Sequence, residues 1–144
     1  FLGNTNRGAA AFGADGSVDV VPGNVNANAL IQEGVREAIS GKPVYVDGGR
    51  IGDLTTLDQY QRDPAYHRTA VGRLRNGQTA LVVIGGAGTS ARQFAQALIR
   101  LGFVEALGMD IDSSANVNWR GESLNRPDYQ RQVPTGIIAF RRGG

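Results

Sequence analysis

The spacing of apolar residues changes several times along the chain, and each change marks an expected element. Arg7 to Phe12 reads as a strand of small residues, and Ser17 to Val21 as a return strand with alternating apolar positions. Ala14-Asp15-Gly16 between them carries the chemistry of a hairpin turn. Asn24 to Asn28 is asparagine-rich and loop-like. Leu30, Ile31, Val35, Ala38 and Ile39 recur at helical spacing, which predicts a helix over about 29–39 with Gly41 as its stop. Pro43 to Val46 predicts a short strand that Asp47-Gly48-Gly49 turns back into Arg50-Ile51. Residues 52–66 show no clear period and are expected to form a long loop, which in a compact domain is often functional.

The second half is more regular. Arg68 to Leu74 and Gln78 to Ile84 flank Arg75-Asn76-Gly77 and predict a hairpin. Gly85-Gly86-Ala87-Gly88 then predicts a loop that opens the main helix, over about 90–101, with Thr89 or Ser90 as its cap. Ala91, Phe94, Ala95, Leu98 and Leu101 share one face of that helix, and Gly102 stops it. Phe103 to Met109 predicts a buried strand, Val117 to Arg120 a short one, 121–132 a loop and Pro134 to Arg141 a final strand. Hairpins outnumber helices, so the expected class is α+β, a mostly antiparallel twisted sheet of hairpins with one main helix and the 29–39 segment as a second. The 144 residues suit a single domain over 1–144, with 1–6 as an extended arm.

Composition narrows the chemistry. Glycine fills 21 of the 144 positions, about twice the usual ~7 %, and without a period of three, which excludes collagen. The absence of cysteine excludes disulfides, thiolate metal sites and cysteine nucleophiles. His67 is the only histidine, so no histidine-based zinc site and no cofactor is expected. Basic residues number 15 and acidic residues 13, and every basic residue but Lys42 is an arginine. The arginines are interspersed with acids, so no nucleic-acid partner is expected, although arginine also suits carboxylate and phosphate recognition. No apolar run approaches the roughly 20 residues of a membrane span. A first residue other than methionine fits a processed or excerpted chain, and with it an extracellular, cell-surface or virion-associated setting, the cytoplasm being left open.

The glycine segment admits more than one reading. Gly86-x-Gly88-x-x-Ala91 fits a dinucleotide fingerprint, with Asp110 where a ribose-binding acid would sit. The hairpins upstream, and a single strand expected downstream, argue against the repeated βα units such a domain needs. Two readings stay open. Either Gly86, Gly88 and Ser90 meet a phosphate at a helix start, or the glycines only make a sharp turn.

Several segments in order resemble the phosphodiester glycosidase family. Val35 to Arg50 resembles its acid-glycine hairpin, Arg68-Thr69-Ala70-Val71-Gly72 its arginine-threonine-alanine strand, and Leu81 to Ile84 the strand that follows. Phe94 to Leu107 is similar to the helix and strand before the family's acid-and-glycine motif, and Asn125-x-Pro127 with Arg131 resembles its closing segment. The resemblance covers about residues 8–140. It implies a glycan or sugar-phosphate ligand, with hydrolysis between the anomeric carbon and the phosphate oxygen. It places Arg68 and Thr69 at the phosphate, Asp110 as the site's carboxylate, and Ser113, Ser114, Asn125 and Arg131 as further donors. Asp112 is the obvious second acid, sharing a face with Asp110 if the strand continues. His67, beside Arg68, is a candidate proton donor or a structural histidine. Trp119, Tyr66 and Tyr129 are candidates for sugar stacking or for packing. The family keeps glycines after its aspartate, and this chain carries Ile111 and Asp112 there. That departure favours a second reading. In it the fold is catalytically silent, serving as a glycan-binding module or as a self-assembling subunit of a virion, phage tail or filament.

Overall fold

Alternation along two strands decides the layering. Ala70 and Ala106 turn to one face of a sheet, and their neighbours Val71 and Leu107 to the other. The computed structural model describes residues 7–23, 25–125 and 137. Three strands, β1 (Gly8–Phe12), β2 (Val18–Val21) and β3 (Glu37–Gly41), form a small antiparallel sheet in the order β2-β1-β3. Five more form the main sheet: β4 (Val44–Asp47), β5 (Arg50–Ile51), β6 (Tyr66–Leu74), β7 (Thr79–Thr89) and β8 (Phe103–Ile111). Their order is β5-β4-β8-β6-β7, antiparallel throughout. The helices are α1 (Ala27–Gln32), α2 (Gln59–Arg62) and α3 (Ala91–Arg100), and a separate hairpin pairs β9 (Asn118–Trp119) with β10 (Glu122–Ser123). This is the expected α+β class with one main helix.

Each face of the main sheet has its own core. On one, Phe94, Ala95 and Leu98 of α3 pack with Tyr45, Val46, Ala70 and Phe103, and Tyr45 meets Phe94 edge to face at 5.0 Å between ring centroids. On the other, Ala10, Val18 and Val20 of the small sheet pack on Val71 and Leu107, with Ile137 beside them. Arg73 joins the layers by ion pairs to Glu105 at 2.6 Å and Asp19 at 3.7 Å. The capping box expected of a good helix start is present: Ser90 accepts from the Gln93 amide, and Gln93 reaches back to the Ser90 amide.

The helix expected over 29–39 is shorter. It ends near Gln32, Gly34 turns the chain at φ 82°, and residues 37–41 become β3. Ile39 has helical spacing but pairs with Ala10 and packs between the sheets, so strand pairing outweighs the local period. Gly41 is not a helix stop. It ends β3 against Gly108, where an added Cβ would overlap the Gly108 carbonyl oxygen. The loop expected over 52–66 holds a capped turn at Leu54–Thr56 and α2, and it buries Leu54 and Leu57 in the α3 core. The strand expected over 134–141 and the arm at 1–6 lie outside the described residues, Ile137 aside.

The two kinds of glycine predict different mutational effects. Gly41→Ala is expected to lose about 2–3 kcal/mol through that backbone overlap. Gly48→Ala, in open space at φ 54°, is expected to lose only about 1 kcal/mol. Urea unfolding of both variants checks the order, and equal losses would contradict the packing described.

Candidate functional site

The start of β6 and the ends of β7 and β8 meet at one end of the main sheet, and both pairings there are irregular. Tyr66 pairs with Thr89 and Arg68 with Ile84, so His67 alone faces the four residues Gly85-Gly86-Ala87-Gly88. The glycine segment is therefore a wide bulge inside β7. It is not the free strand-to-helix loop that the sequence suggests, because pairing resumes at Thr89 just before the α3 cap. Gly86 and Gly88 adopt φ 66° and 71°, which side chains disfavour. A Cβ on Gly88 would also press on the Tyr66 backbone at 2.7 Å. His67 spans the bulge, with Nε2 3.0 Å from the Gly86 carbonyl oxygen. A carbonyl only accepts, so Nε2 carries the proton in that bond.

The second irregularity positions Asp110. Arg68 pairs with Ile111 and Ala70 with Gly108, leaving Thr69 opposite Met109 and Asp110. The Thr69 hydroxyl fills the gap: it accepts from the Asp110 amide and donates to the Asp110 carbonyl, both at 2.9 Å. Asp110 thus stands exposed at the sheet end on a backbone clamped from the neighbouring strand. Beyond it the strand stops at Ile111. Asp112 begins a short helical turn closed by the Ala115 amide on the Asp112 carbonyl, at φ 57°. The expected continuation that would put Asp110 and Asp112 on one strand face is absent. Asp112 occupies a left-handed position that glycine adopts freely and that aspartate tolerates better than most residues.

Arg68 lies inside the fold. It is fully buried, and its guanidinium donates to the Thr89 carbonyl at 2.7 Å, the Tyr45 hydroxyl at 3.1 Å, the Gln61 carbonyl at 2.7 Å and the Pro64 carbonyl at 3.2 Å. Among the described residues no carboxylate pairs with it. A bidentate grip on phosphate would require these bonds to be given up, and Arg68 and Asp110 do not form an ion pair. Sequence reasoning missed the residues that hold Arg68. The relevant signals were Tyr45, an aromatic residue inside the short β4 strand and fully buried there beside Val46, and the 52–66 segment, which supplies carbonyls rather than side chains. Burial raises the Tyr45 hydroxyl above its ordinary 10.0, opposed by the Arg68 charge and hydrogen bond.

The other expected residues divide by location. Ser113 and Ser114 lie in the turn after Asp110, at the sheet end. Asn125 joins them: its side chain accepts from the Val117 amide at 3.0 Å, donates to the Ala115 carbonyl, and lies where a Gly85 Cβ would meet it at 3.0 Å. The Ser90 hydroxyl is committed to Gln93 in the helix cap. Arg131 and Tyr129 lie outside the described residues. A shallow groove lined by Asp47, Arg50, Ile51 and Asp53 sits at the opposite end of the sheet, remote from this cluster. Among the described residues no three histidine or acidic side chains gather as a metal site would require, and no helix is long and apolar enough to cross a membrane.

The architecture and the bulged sheet end define an α+β domain with exposed polar groups presented at one strand terminus. Its family is shown by comparison: the model of the phosphodiester glycosidase family matches residues 2–140, and the chain belongs to that family. No curated protein sequence matches it. The catalytic domain of zebrafish N-acetylglucosamine-1-phosphodiester alpha-N-acetylglucosaminidase, auto-inhibited by its pro-peptide, is 23 % identical with a TM-score of 0.73 over 88 % of this chain and 46 % of its own. A hypothetical protein from Synechocystis is 22 % identical with a TM-score of 0.58, over 88 % of this chain and 32 % of its own. At such identities the likeness shows the fold, and the chain spans less than half the length of either relative.

Two outcomes follow from Arg68 and Tyr45. Arg68→Met is expected to destabilise by about 3 kcal/mol, because one buried and two part-buried carbonyls lose their donor. Arg68→Lys is expected to lose nearly as much, since one ammonium cannot replace a planar fork. Urea unfolding measures both, and a loss below about 1 kcal/mol would contradict the structural role. The Tyr45 hydroxyl is held protonated in the fold, so its contribution is complete below pH 10 and is lost as pH rises through the raised folded value. Unfolding midpoints across that alkaline range are expected to fall more steeply in the native protein than in Tyr45→Phe.

Proposed function

We propose that the sheet end around His67, the Gly85–Gly88 bulge and Asp110 binds a sugar linked through phosphate and hydrolyses the bond between the anomeric carbon and the phosphate oxygen. The convergence of Asp110 with two bulged strand pairings, in a member of this family, is the observation that carries the reading. Strand irregularities of this kind recur beside active sites because they re-aim side chains. Asp110 is the carboxylate that assists attack of water at the anomeric carbon. The electron pair of the broken bond leaves on the phosphate oxygen, as a stable anion that requires less protonation than a sugar alkoxide. A widely separated second acid is therefore less important here than in ordinary glycoside hydrolysis. Ser113, Ser114 and the backbone at Gly86 and Gly88 are the phosphate donors in this reading, with His67 and Asp112 as the remaining titratable groups. Thr69 and Asn125 are positioning residues, and so is Arg68, which ties the end of the bulge at Thr89 to β4 and the α2 segment. An extracellular or cell-surface setting suits such a substrate.

One observation favours the second reading of a silent member. Asp112 stands at φ 57° where the family carries glycine, and its side chain adds bulk and charge to the turn. A glycan-binding module or a self-assembling subunit would tolerate that change.

The first assay uses the methyl phosphodiester of N-acetylglucosamine 1-phosphate, the linkage named for the zebrafish relative. Release of free sugar is expected, with Asp110→Asn lowering turnover by roughly 10²–10⁴ and leaving the unfolding midpoint unchanged. Absence of turnover would overturn the hydrolase, whether or not the sugar binds, and a large ordered assembly by native mass measurement would favour the second.

A further inference from the structure

The hairpin of β9 and β10 carries exposed groups that the fold does not use. Trp119 is the only tryptophan of the chain and is 61 % exposed, and Leu124 in the same segment is 60 % exposed. Burying an indole is strongly favourable, so an exposed one on an ordered hairpin is unusual. The Arg120 guanidinium lies over the Trp119 ring at 5.6 Å from its centroid. Among the described residues no carboxylate lies within ion-pair distance of Arg120. An indole carrying Arg120 over one of its faces, and a guanidinium with no ion-pair partner among the described residues, are therefore presented together.

The backbone maintains this display under strain. Trp119 pairs with Glu122, and the two residues between them, Arg120 and Gly121, have φ 51° and 86°. A two-residue turn with both values positive favours asparagine followed by glycine. Arginine at the first position is conformationally unfavourable, and strain of this kind concentrates at functional sites. Trp119 and Arg120 are thus a specific choice for that tip.

The hairpin is also fixed to the sheet end. Leu124 donates its amide to the Val117 carbonyl at 2.9 Å, and Ser123 donates to the Asn116 side chain at 2.8 Å. Asn125 ties Val117 and Ala115 together and rests on Gly85 of the bulge, while the Ala115 amide closes the turn that begins at Asp112. A continuous chain of bonds therefore links the tip to the groups around Asp110.

We propose that Trp119 and Arg120 form a glycan subsite, in which the indole face opposite Arg120 stacks on a pyranose ring and Arg120 pairs with the phosphate or another anionic group of the same ligand. A pyranose presents a face of C–H groups that suits the electron-rich face of an indole, and a guanidinium suits a phosphate. This rests on the proposed sugar-phosphodiester reading and adds the residues that recognise the sugar beyond the reacting bond.

The single tryptophan makes the test direct, because emission excited at the red edge of the indole band, where the four tyrosines do not absorb, reports Trp119 alone. Three probes are titrated: the methyl phosphodiester of N-acetylglucosamine 1-phosphate, a neutral N-acetylglucosamine disaccharide and inorganic phosphate. The two sugars are expected to change the emission saturably and inorganic phosphate is not. By calorimetry, Trp119→Ala is expected to weaken sugar binding at least tenfold and Trp119→Phe less than threefold. Arg120→Ala is expected to weaken the phosphodiester at least fivefold and leave the neutral disaccharide unchanged. Where turnover occurs, Trp119→Ala is expected to raise KM with kcat within twofold. Asp110→Asn, which removes turnover, is expected to keep the fluorescence response. A sugar response without turnover supports the subsite while overturning the hydrolase. Turnover without a sugar response overturns the subsite alone. A response to inorganic phosphate equal to that of the sugars, or an emission change that follows protein concentration without sugar, also overturns it, the latter pointing to a protein contact.

Discussion

The buried guanidinium of Arg68 is the constraint around which this sheet end is organised. An arginine taken fully out of water must have its donors met, and here carbonyls and a phenol meet them instead of a carboxylate. Those acceptors come from four places: Thr89 at the end of β7, Tyr45 on β4, Gln61 in α2 and Pro64 just before β6. One side chain thereby fixes where β7 resumes pairing, where α3 begins and how the 52–66 segment lies on the sheet. The Gly85–Gly88 bulge is possible because its far end is held at Thr89. Arginine is the residue type for this task, since its planar fork reaches in several directions at once.

The exposed chemistry depends on that buried frame. Thr69, next to Arg68 and facing the other way, clamps both backbone groups of Asp110 and converts a pairing defect on β8 into a defined projection. His67, on the other side of Arg68, spans the β7 bulge. Three consecutive residues thus perform three separate tasks, in keeping with the alternation of a strand and the bulges on both flanks. The turn after Asp110 extends the arrangement through Asn125 into the Trp119 hairpin. Polar groups that are distant along the chain are brought to one end of the sheet by strand order.

Much of the fold was legible in advance. The hairpin turns at Gly16, Gly48-Gly49 and Gly77, the strands around them and the α3 face with its Ser90 cap depend on local rules and are present, except that Leu101, expected on that face, is exposed at the helix end. The helix over 29–39 was misjudged past Gln32, because Ile39 satisfies a helical period while its partner Ala10 lies far away in sequence. The glycine segment was misjudged for a related reason. Its composition suits a free loop at a helix start, and only Tyr66 and Arg68 on the opposite strand show that it is a bulge. At the candidate site, Asp110, Ser113 and Ser114 stand at the sheet end as a group. The burial of Arg68 was invisible in sequence, because its partners are mostly main-chain carbonyls that no residue type announces.

What the sequence by itself determined were the features set by neighbouring residues: turn chemistry, capping, alternation, the absence of thiols and the ordered motifs of the phosphodiester glycosidase family. What only the tertiary structure decided was where the described motif residues lie and what each one touches. Whether an arginine grips a ligand or braces the frame depends on which carbonyls the folded chain brings to it. Whether two aspartates share a face depends on where strand pairing stops, and here pairing stops at Ile111, between Asp110 and Asp112. Both are properties of contacts between distant segments, where burial and hydrogen-bond satisfaction outweigh local spacing.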